Sequence, residues 1–442
     1  MNMDSAVTSP DQLSPADFAE HLLRTGRRRA AFVYDASTAE LTASHPDLQP
    51  LAAAIAGNTR DFDQHEAIFL EVGKSTGALF GAFLHCTTRG QGAGGVRHWP
   101  YDTLRDFVVD GLRLSRGMGR KNALAGLWWG GGKGVIARQP GAPQQDAAYR
   151  QRLYSEYGAF VTSLRGVYVT AEDVGTTPPD MAQIFTTTRF VTCVPAAVGG
   201  SGNPSIATAR GVVCAMEGAL DFLGRGTLHG KRIAMQGTGN VGNAMIGFLL
   251  ERGVQRIVAA EISDALREQV LRTHGDPRLE VRRVEPKDTS IFQEDCDIFA
   301  PNALGGILGP ETIPLLRAPL VCGAANNQLL DEHRDDWSLR ERGIAYVPDF
   351  VANRMGIVNC ANEQYGNLPN DPAIIRHFSR DWESSVYNVT RDILRRAQQQ
   401  GTTPARAANA LADELMLRPH PIWGHRSMDI VQSLLHERWA DQ

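Results

Sequence analysis

The stretch that most limits what this chain can fold into runs from Arg232 to Glu261. An apolar run, Arg232 to Gln236, is followed by Gly237, Thr238, Gly239, Asn240, Val241 and Gly242. Val241, Met245, Phe248 and Leu249 then recur at helical spacing, and a second apolar run from Arg256 to Ala260 ends in Glu261, nineteen residues beyond Gly242. Strand, glycine turn, helix, strand and acid, in that order, form the fingerprint of a dinucleotide-binding βαβ unit. Gly237 is expected to allow the tight turn, and Gly239 to let the backbone approach a pyrophosphate. Gly242 is expected to bring the helix close to the strand, with the helix amides and dipole facing the phosphates. Thr238, Asn240 and Val241 complete the loop as candidate cofactor contacts. Glu261 is expected to accept hydrogen bonds from the ribose hydroxyls and to repel a 2′-phosphate, so NAD is expected rather than NADP.

Further strand-like runs at 297–300, 319–323 and 344–347 alternate with helical or loop segments, which predicts a doubly wound parallel sheet. Ligands of such sheets lie beyond the carboxyl ends of the strands. Asn302, Ala303 and Asn326 are therefore candidate cofactor contacts and Asn327 a candidate substrate contact, with Thr208, at the start of a helix expected over 208–223, a further cofactor candidate. At 442 residues the chain exceeds what one core covers. The expectation is an α/β protein of two domains. Residues 1–192 form an N-terminal α/β substrate and oligomerisation domain, 193–370 the Rossmann-type doubly wound dinucleotide-binding domain, and 371–442 helices packing back across both. Gly199–Asn203 and Pro204 mark the boundary or hinge.

Composition excludes several classes. A net charge of −4, with no long Lys/Arg tract, leaves no basic footprint for nucleic acid. The N-terminus is polar without a signal-peptide core, and no window reaches the length of a membrane span, so a cytoplasmic protein is expected. The six cysteines and twelve histidines lack metal-ligand or disulfide spacing, so no metal is expected and the cysteines read as small buried hydrophobes.

In the front half, Gly117–Val135 reads GMGRKNALAGLWWGGGKGV. Lys121 follows a helical pattern begun by Leu104, Phe107, Val108 and Leu112, and Lys133 sits among Gly130, Gly131, Gly132 and Gly134. So bare a backbone around an ammonium suggests that a ligand comes close to the main chain. Apolar flanks predict a half-buried cleft, where burial and a second cation depress a lysine pKa and make a base. A short strand at 167–170 then ends in Ala171, Glu172, Asp173, Val174, Gly175 and two threonines, where α/β proteins place chemistry. A helix cap or a loop carboxylate facing water is the plainer reading of Asp173.

With these pieces assembled, the chain resembles the glutamate/leucine/phenylalanine/valine dehydrogenase family, most of all its leucine, valine and phenylalanine branch. The likeness runs from about Gly94 to Glu363 through GGVRHWPYDT, GMGRKNALAG, GGGKGV, YVTAEDVGTT, GGSGNPS, QGTGNVG, DIFAPNALGG, AANNQL and Tyr346–Glu363. The resemblance implies an NAD-dependent oxidative deamination of an L-amino acid to a 2-oxo acid and ammonia, reversible as reductive amination, by a homo-oligomer. It implies that Lys121 binds the substrate carboxylate, that Lys133 is the catalytic lysine and that Asp173 is its partner. Gly94, Gly95 and Asn326 or Asn327 would line the substrate and nicotinamide site.

The chain departs from the family pattern at three places. Asn353-Arg354-Met355-Gly356 stands where the family shows Asn-Ala-Gly-Gly, Ala93 where leucine is frequent, and Ile206 where proline is usual. Ala93 would enlarge a side-chain pocket that Met355 and Ile206 would refill. The apolar set Ala93, Ala171, Ile357 and Cys360 points to an apolar or aromatic substrate, whereas Arg354 would favour an acidic one unless it is solvated. A glutamate-type or unusual-amino-acid dehydrogenase and a non-catalytic NAD-binding homologue are the alternatives. The segment 45–77 reads as an addition without a role.

Overall fold

The computed structural model describes residues 10–366, 368 and 370–442, so the first nine residues of the polar N-terminus lie outside it. The chain divides into two compact units. The first comprises 1–123, 127–202 and 414–442, and the second 124–126 and 203–413. The boundary thus falls at Gly202/Asn203 rather than at 192/193. The residues after 370 form no body of their own: those to Asp413 count with the second unit and the rest with the first.

The first unit is built on a seven-stranded sheet. Its strands are β1 (Arg29–Asp35), β2 (Glu40–Ala43), β3 (Ala67–Val72), β4 (Leu79–Leu84), β5 (Gly92–Trp99), β6 (Gly130–Ala137) and β7 (Tyr168–Glu172), in the order β2-β1-β3-β4-β6-β5-β7. β5 runs parallel to β6 and β7, and the other neighbours pair antiparallel. β3 and β4 are buried along their whole length because both faces are covered, and their apolar runs (AIFLEV, LFGAFL) suit that setting. The segment 45–77 is therefore no appendage, since it supplies β3, an interior strand of this sheet. The helix Leu104–Leu124 buries Leu104, Phe107, Val108 and Leu112 in the core that also holds Phe32, Ile68 and Phe83.

The second unit carries a six-stranded, all-parallel sheet. Its strands are β8 (Arg232–Gln236), β9 (Arg256–Glu261), β10 (Leu279–Arg283), β11 (Ile298–Pro301), β12 (Leu320–Val321) and β13 (Ala345–Tyr346), in the order β10-β9-β8-β11-β12-β13. The order reverses between β8 and β11, which makes the carboxyl end of β8 the topological switch point. β10 (LEVRR) was not apparent as a strand, because its outward positions are charged. Residues 372–399 do not form one continuous helix. Pro372–Ile375 forms a short turn of helix, and the long helix Val386–Gln399 starts afresh from the Ser385 cap. Among the described residues no helix is long and apolar enough to cross a membrane. Of the six cysteines, all but Cys86 are buried.

Candidate active site

In the first unit, β5 lies between β6 and β7. Ala93 is opposite Gly131 and Val169, Gly94 opposite Thr170, and Gly95 opposite Ala171. The glycines are there for close packing. A Cβ on Gly94 would lie 2.0 Å from the Gly132 carbonyl oxygen, and one on Gly95 would lie 2.4 Å from that of Glu172 and 2.9 Å from Asp173 Cβ. A Cβ on Gly131 would meet the Ser115 carbonyl at 2.5 Å and Gly119 Cα at 3.1 Å, so the helix 104–124 lies directly on β6. On the side where a Cβ would stand, protein atoms fill the space beside these glycines, so close packing is one reason for the bare backbone. Gly132→Ala would press a methyl against the Gly92 and Ala93 backbone at 2.5–2.7 Å. It is expected to cost at least about 1–3 kcal/mol, read as a lower denaturant midpoint; an unchanged midpoint would contradict this packing.

The same packing delivers the charged groups. Lys133 is buried on β6, and its Nζ donates to Asp173 Oδ2 at 2.6 Å. Asp173 follows β7 directly. Gly175, at φ 84°, presses on the His98 carbonyl, and the Thr176 hydroxyl accepts from the Asp173 amide at 2.9 Å. The helix cap expected of the acid belongs instead to Thr177, which shares a capping box with Asp180. Asp173 Oδ2 also accepts from Arg97 Nε at 3.2 Å. Arg97 in turn holds Asp110 at 3.0 Å, and Tyr101 donates to Asp110 at 2.6 Å. Burial works to raise the Asp173 pKa, but the Lys133 ammonium and then the Arg97 guanidinium outweigh it and hold the carboxyl down at about 2.

Lys121 stands half-buried in the last turn of the helix 104–124. Its neighbour Asn122, fully buried, donates to the Gly130 carbonyl at 2.8 Å and that of Ala93 at 3.3 Å, tying the helix end to β6 and β5. Arg97, Asp110 and Asn122 were missed from the sequence. The available signal was period two on β5, which sets Arg97 on the side of Gly95, where Asp173 packs. Arg97→Met removes one of the two cations on Asp173. Its pKa is expected to rise, so the acid limb of the kcat/KM–pH profile should move to higher pH; an unmoved limb would contradict this coupling.

In the second unit, Gly237 adopts φ 90° and would clash with Ala303 Cβ at 2.7 Å if it carried a side chain. A Cβ on Gly242 would lie 2.5 Å from the Gly237 carbonyl, so the helix Asn240–Glu251 is packed onto the turn itself. At Gly239, by contrast, no described residue beyond its chain neighbours comes within 4 Å of where a Cβ would be. An open cradle at the amide end of a twelve-residue helix fits a dinucleotide pyrophosphate.

Glu261 is buried and engaged within its own loop. One oxygen accepts from the Thr238 amide at 3.0 Å and its hydroxyl at 2.8 Å, the other from the Ile262 and Ser263 amides at 2.9 Å each. These occupy its roughly four acceptor positions. Glu261 thus ties the glycine loop, through Thr238, to the end of β9.

The remaining candidates are placed as follows. Asn302 joins two strand ends, donating to the Ala300 carbonyl at 3.2 Å and accepting from the Ala324 amide at 2.9 Å. Ala303 is exposed beside Gly237. Asn326 Oδ1 accepts from Asn353 at 2.8 Å, and Asn327, at φ 51°, donates its amide to Asp349 at 2.9 Å. The Thr208 hydroxyl donates to the Pro204 carbonyl at 3.0 Å. Ile357 and Cys360 are buried on the helix Met355–Glu363. The pocket readings for three residues are corrected. Met355 is fully buried over Gly211 on the helix Ser205–Phe222, and Ile206 is 66% exposed. Arg354 is neither solvated nor paired with an acid: it is fully buried and donates to the carbonyls of Leu124 and Ser384.

A switch-point sheet with an open glycine cradle, joined to a unit holding a buried lysine–aspartate pair, defines a dinucleotide-dependent oxidoreductase. Two family models match the chain: "Glu/Leu/Phe/Val dehydrogenase, dimerisation domain" over residues 74–190 and "Glutamate/Leucine/Phenylalanine/Valine dehydrogenase" over 199–418. The leucine dehydrogenase of Geobacillus stearothermophilus is 41% identical over 306 residues, 69% of this chain and 79% of that protein. The valine dehydrogenase of Streptomyces coelicolor is 37% identical over 81% of this chain and 93% of that one. The crystal structure of L-tryptophan dehydrogenase from Nostoc punctiforme superposes with a TM-score of 0.66 at 35% identity, covering 80% of this chain and 96% of that one. The chain belongs to the glutamate/leucine/phenylalanine/valine dehydrogenase family.

Proposed function

We propose that the protein catalyses the reversible oxidative deamination of an L-amino acid with an apolar or aromatic side chain, giving the 2-oxo acid and ammonia. The observation that carries this reading is the buried Lys133–Asp173 pair at 2.6 Å in a chain of this family. NAD, when bound, supplies the hydride acceptor. Gly237, Thr238, Gly239, Asn240, Val241 and Gly242 would hold its pyrophosphate, with Glu261, Asn302, Ala303, Asn326 and Thr208 around it.

Lys121 would grip the substrate α-carboxylate and fix Cα for hydride loss. Lys133 would take the proton of the water that attacks the substrate imine. Asp173 would carry a proton to or from the substrate nitrogen. Held at about 2 by two cations, its carboxyl is a poor proton acceptor while Lys133 is charged. Once Lys133 has given up its proton, one of those cations is gone and the Asp173 pKa must rise. The two groups are thus coupled so that each becomes competent as the other changes state.

Ala93 and Ala171 of the first unit and Ile357 and Cys360 of the second are the apolar residues proposed to meet the side chain, and Gly94, Gly95 and Asn327 the ones proposed to meet the rest of the substrate. Relatives named for leucine, valine and tryptophan agree with such a substrate. Arg354 is buried with both terminal nitrogens on main-chain carbonyls, which weakens the reason to expect an acidic one. Cysteines buried as small apolar side chains suit a reducing cytoplasm, and the dimerisation-domain match supports a homo-oligomer. The test is a screen of the twenty L-amino acids with NAD⁺, and of the matching 2-oxo acids with ammonium, followed through nicotinamide absorbance. Turnover should be highest with branched-chain or aromatic substrates. Highest turnover with glutamate would overturn the substrate class, and NAD binding without turnover would overturn the activity.

A further inference from the structure

Arg354 has the largest of the fully buried side chains, and no carboxylate among the described residues pairs with it. A buried guanidinium without a counter-ion is costly unless other negative ends meet it. Two do. One is the Ser384 carbonyl, just before the long helix 386–399. The other is the carbonyl of Leu124, the last residue of the 21-residue helix that carries Lys121. A helix's final carbonyls lack intrahelical partners and carry the negative end of its dipole, so this terminus supplies the missing counter-charge. The two bonds come from the two separate terminal nitrogens of a rigid fork, a spacing that the single ammonium of a lysine does not reproduce.

The tripeptide Leu124–Gly126 is counted with the second unit although the chain on both sides of it belongs to the first. Leu124 and Ala125 are buried there, and Gly126, at φ 72°, lies with its Cβ position 3.6 Å from Ser384 and 3.7 Å from Trp382. Arg354 and the Trp382–Ser384 turn thus hold the tripeptide within one unit. Lys121 stands one helical turn upstream of it and Lys133 follows on the next strand.

We propose that Arg354 is a positioning residue for the amino-acid substrate: by holding the carbonyl of Leu124 it fixes where the helix ends and so sets Lys121. The inference rests on the reading of Lys121 as the carboxylate-binding group. It differs from pocket lining, because the side chain reaches the reaction only through the main chain of residues 121–124.

Arg354→Met, Arg354→Lys, Lys121→Met and the Arg354→Met/Lys121→Met double variant are compared by steady-state kinetics with the best substrate of the screen. Arg354→Met should lower kcat/KM for the amino acid by about 10–100-fold, the scale of a misplacement near 1 Å, chiefly through KM. KM for NAD⁺ should stay within about two-fold, a split that general loosening of the fold would not give. Arg354→Lys should not rescue. The double variant should be little worse than Lys121→Met, because both changes remove one function. If Lys121→Met leaves the amino-acid KM unchanged, the reading of Lys121 fails. If Lys121→Met raises it and Arg354→Met does not, Arg354 alone is misassigned. Should Arg354→Met not fold, Gly126→Ala strains the same tripeptide; the same KM signature is expected, and an unchanged amino-acid KM overturns the proposal.

Discussion

Lys133→Met is expected to lower kcat by about 10²–10⁴-fold, the usual worth of a positioned general base, while NAD⁺ affinity stays unchanged. Lys133 is 4% exposed on an interior strand, methionine matches its stem, and Asp173 keeps Arg97 as its counter-ion. The glycine cradle that would hold the cofactor belongs to the other unit. A variant with turnover within ten-fold of the parent would remove Lys133 from the chemistry. One that loses NAD⁺ affinity as well would point to misfolding instead.

Asp173→Asn should be comparably damaging, at about 10²-fold or more in kcat, and it should also weaken the fold. The Thr176 bonds go to the Asp173 main chain and persist in the variant, but asparagine leaves Lys133 and Arg97 without their shared charge. The pH dependence follows from the lowered carboxyl pKa. Asp173 stabilises the native state fully above the unfolded carboxylate value, and that stabilisation is lost as pH falls through its native value of about 2. The gap in denaturant midpoint between parent and variant should therefore be widest near neutrality and narrow below about pH 4. A gap that widens in acid would contradict the ion pair.

Much of the second unit can be read from residue pattern alone, because each local rule agrees with the global fold. β8 spans the expected 232–236, the glycine turn follows, and Glu261 closes β9. The first unit is harder for a definite reason. β5 and β6 are made largely of glycine, which has low strand propensity and carries no side-chain pattern to count. Their glycines are explained only by what packs on them, namely the helix 104–124, Tyr157, Tyr168 and the Glu172–Asp173 turn. The lysines and the aspartate could be named, but not the Arg97–Asp110–Tyr101 support behind them, since nothing local links residues of a strand, a turn and a helix. Arg354 misled in the opposite sense. A charged residue in a family loop invites a functional or a solvated reading, and here its charge is absorbed by main-chain carbonyls.

The account depends on the Lys133–Asp173 pair acting on an amino acid that NAD⁺ oxidises. Its most direct measurement is product stoichiometry with the best L-amino acid and NAD⁺, for the parent protein and for Lys133→Met. The account predicts equimolar reduced nicotinamide, ammonium and 2-oxo acid from the parent, and none above background from the variant in the same time. Reduced nicotinamide formed without ammonium, or equal yields from the two proteins, would contradict it.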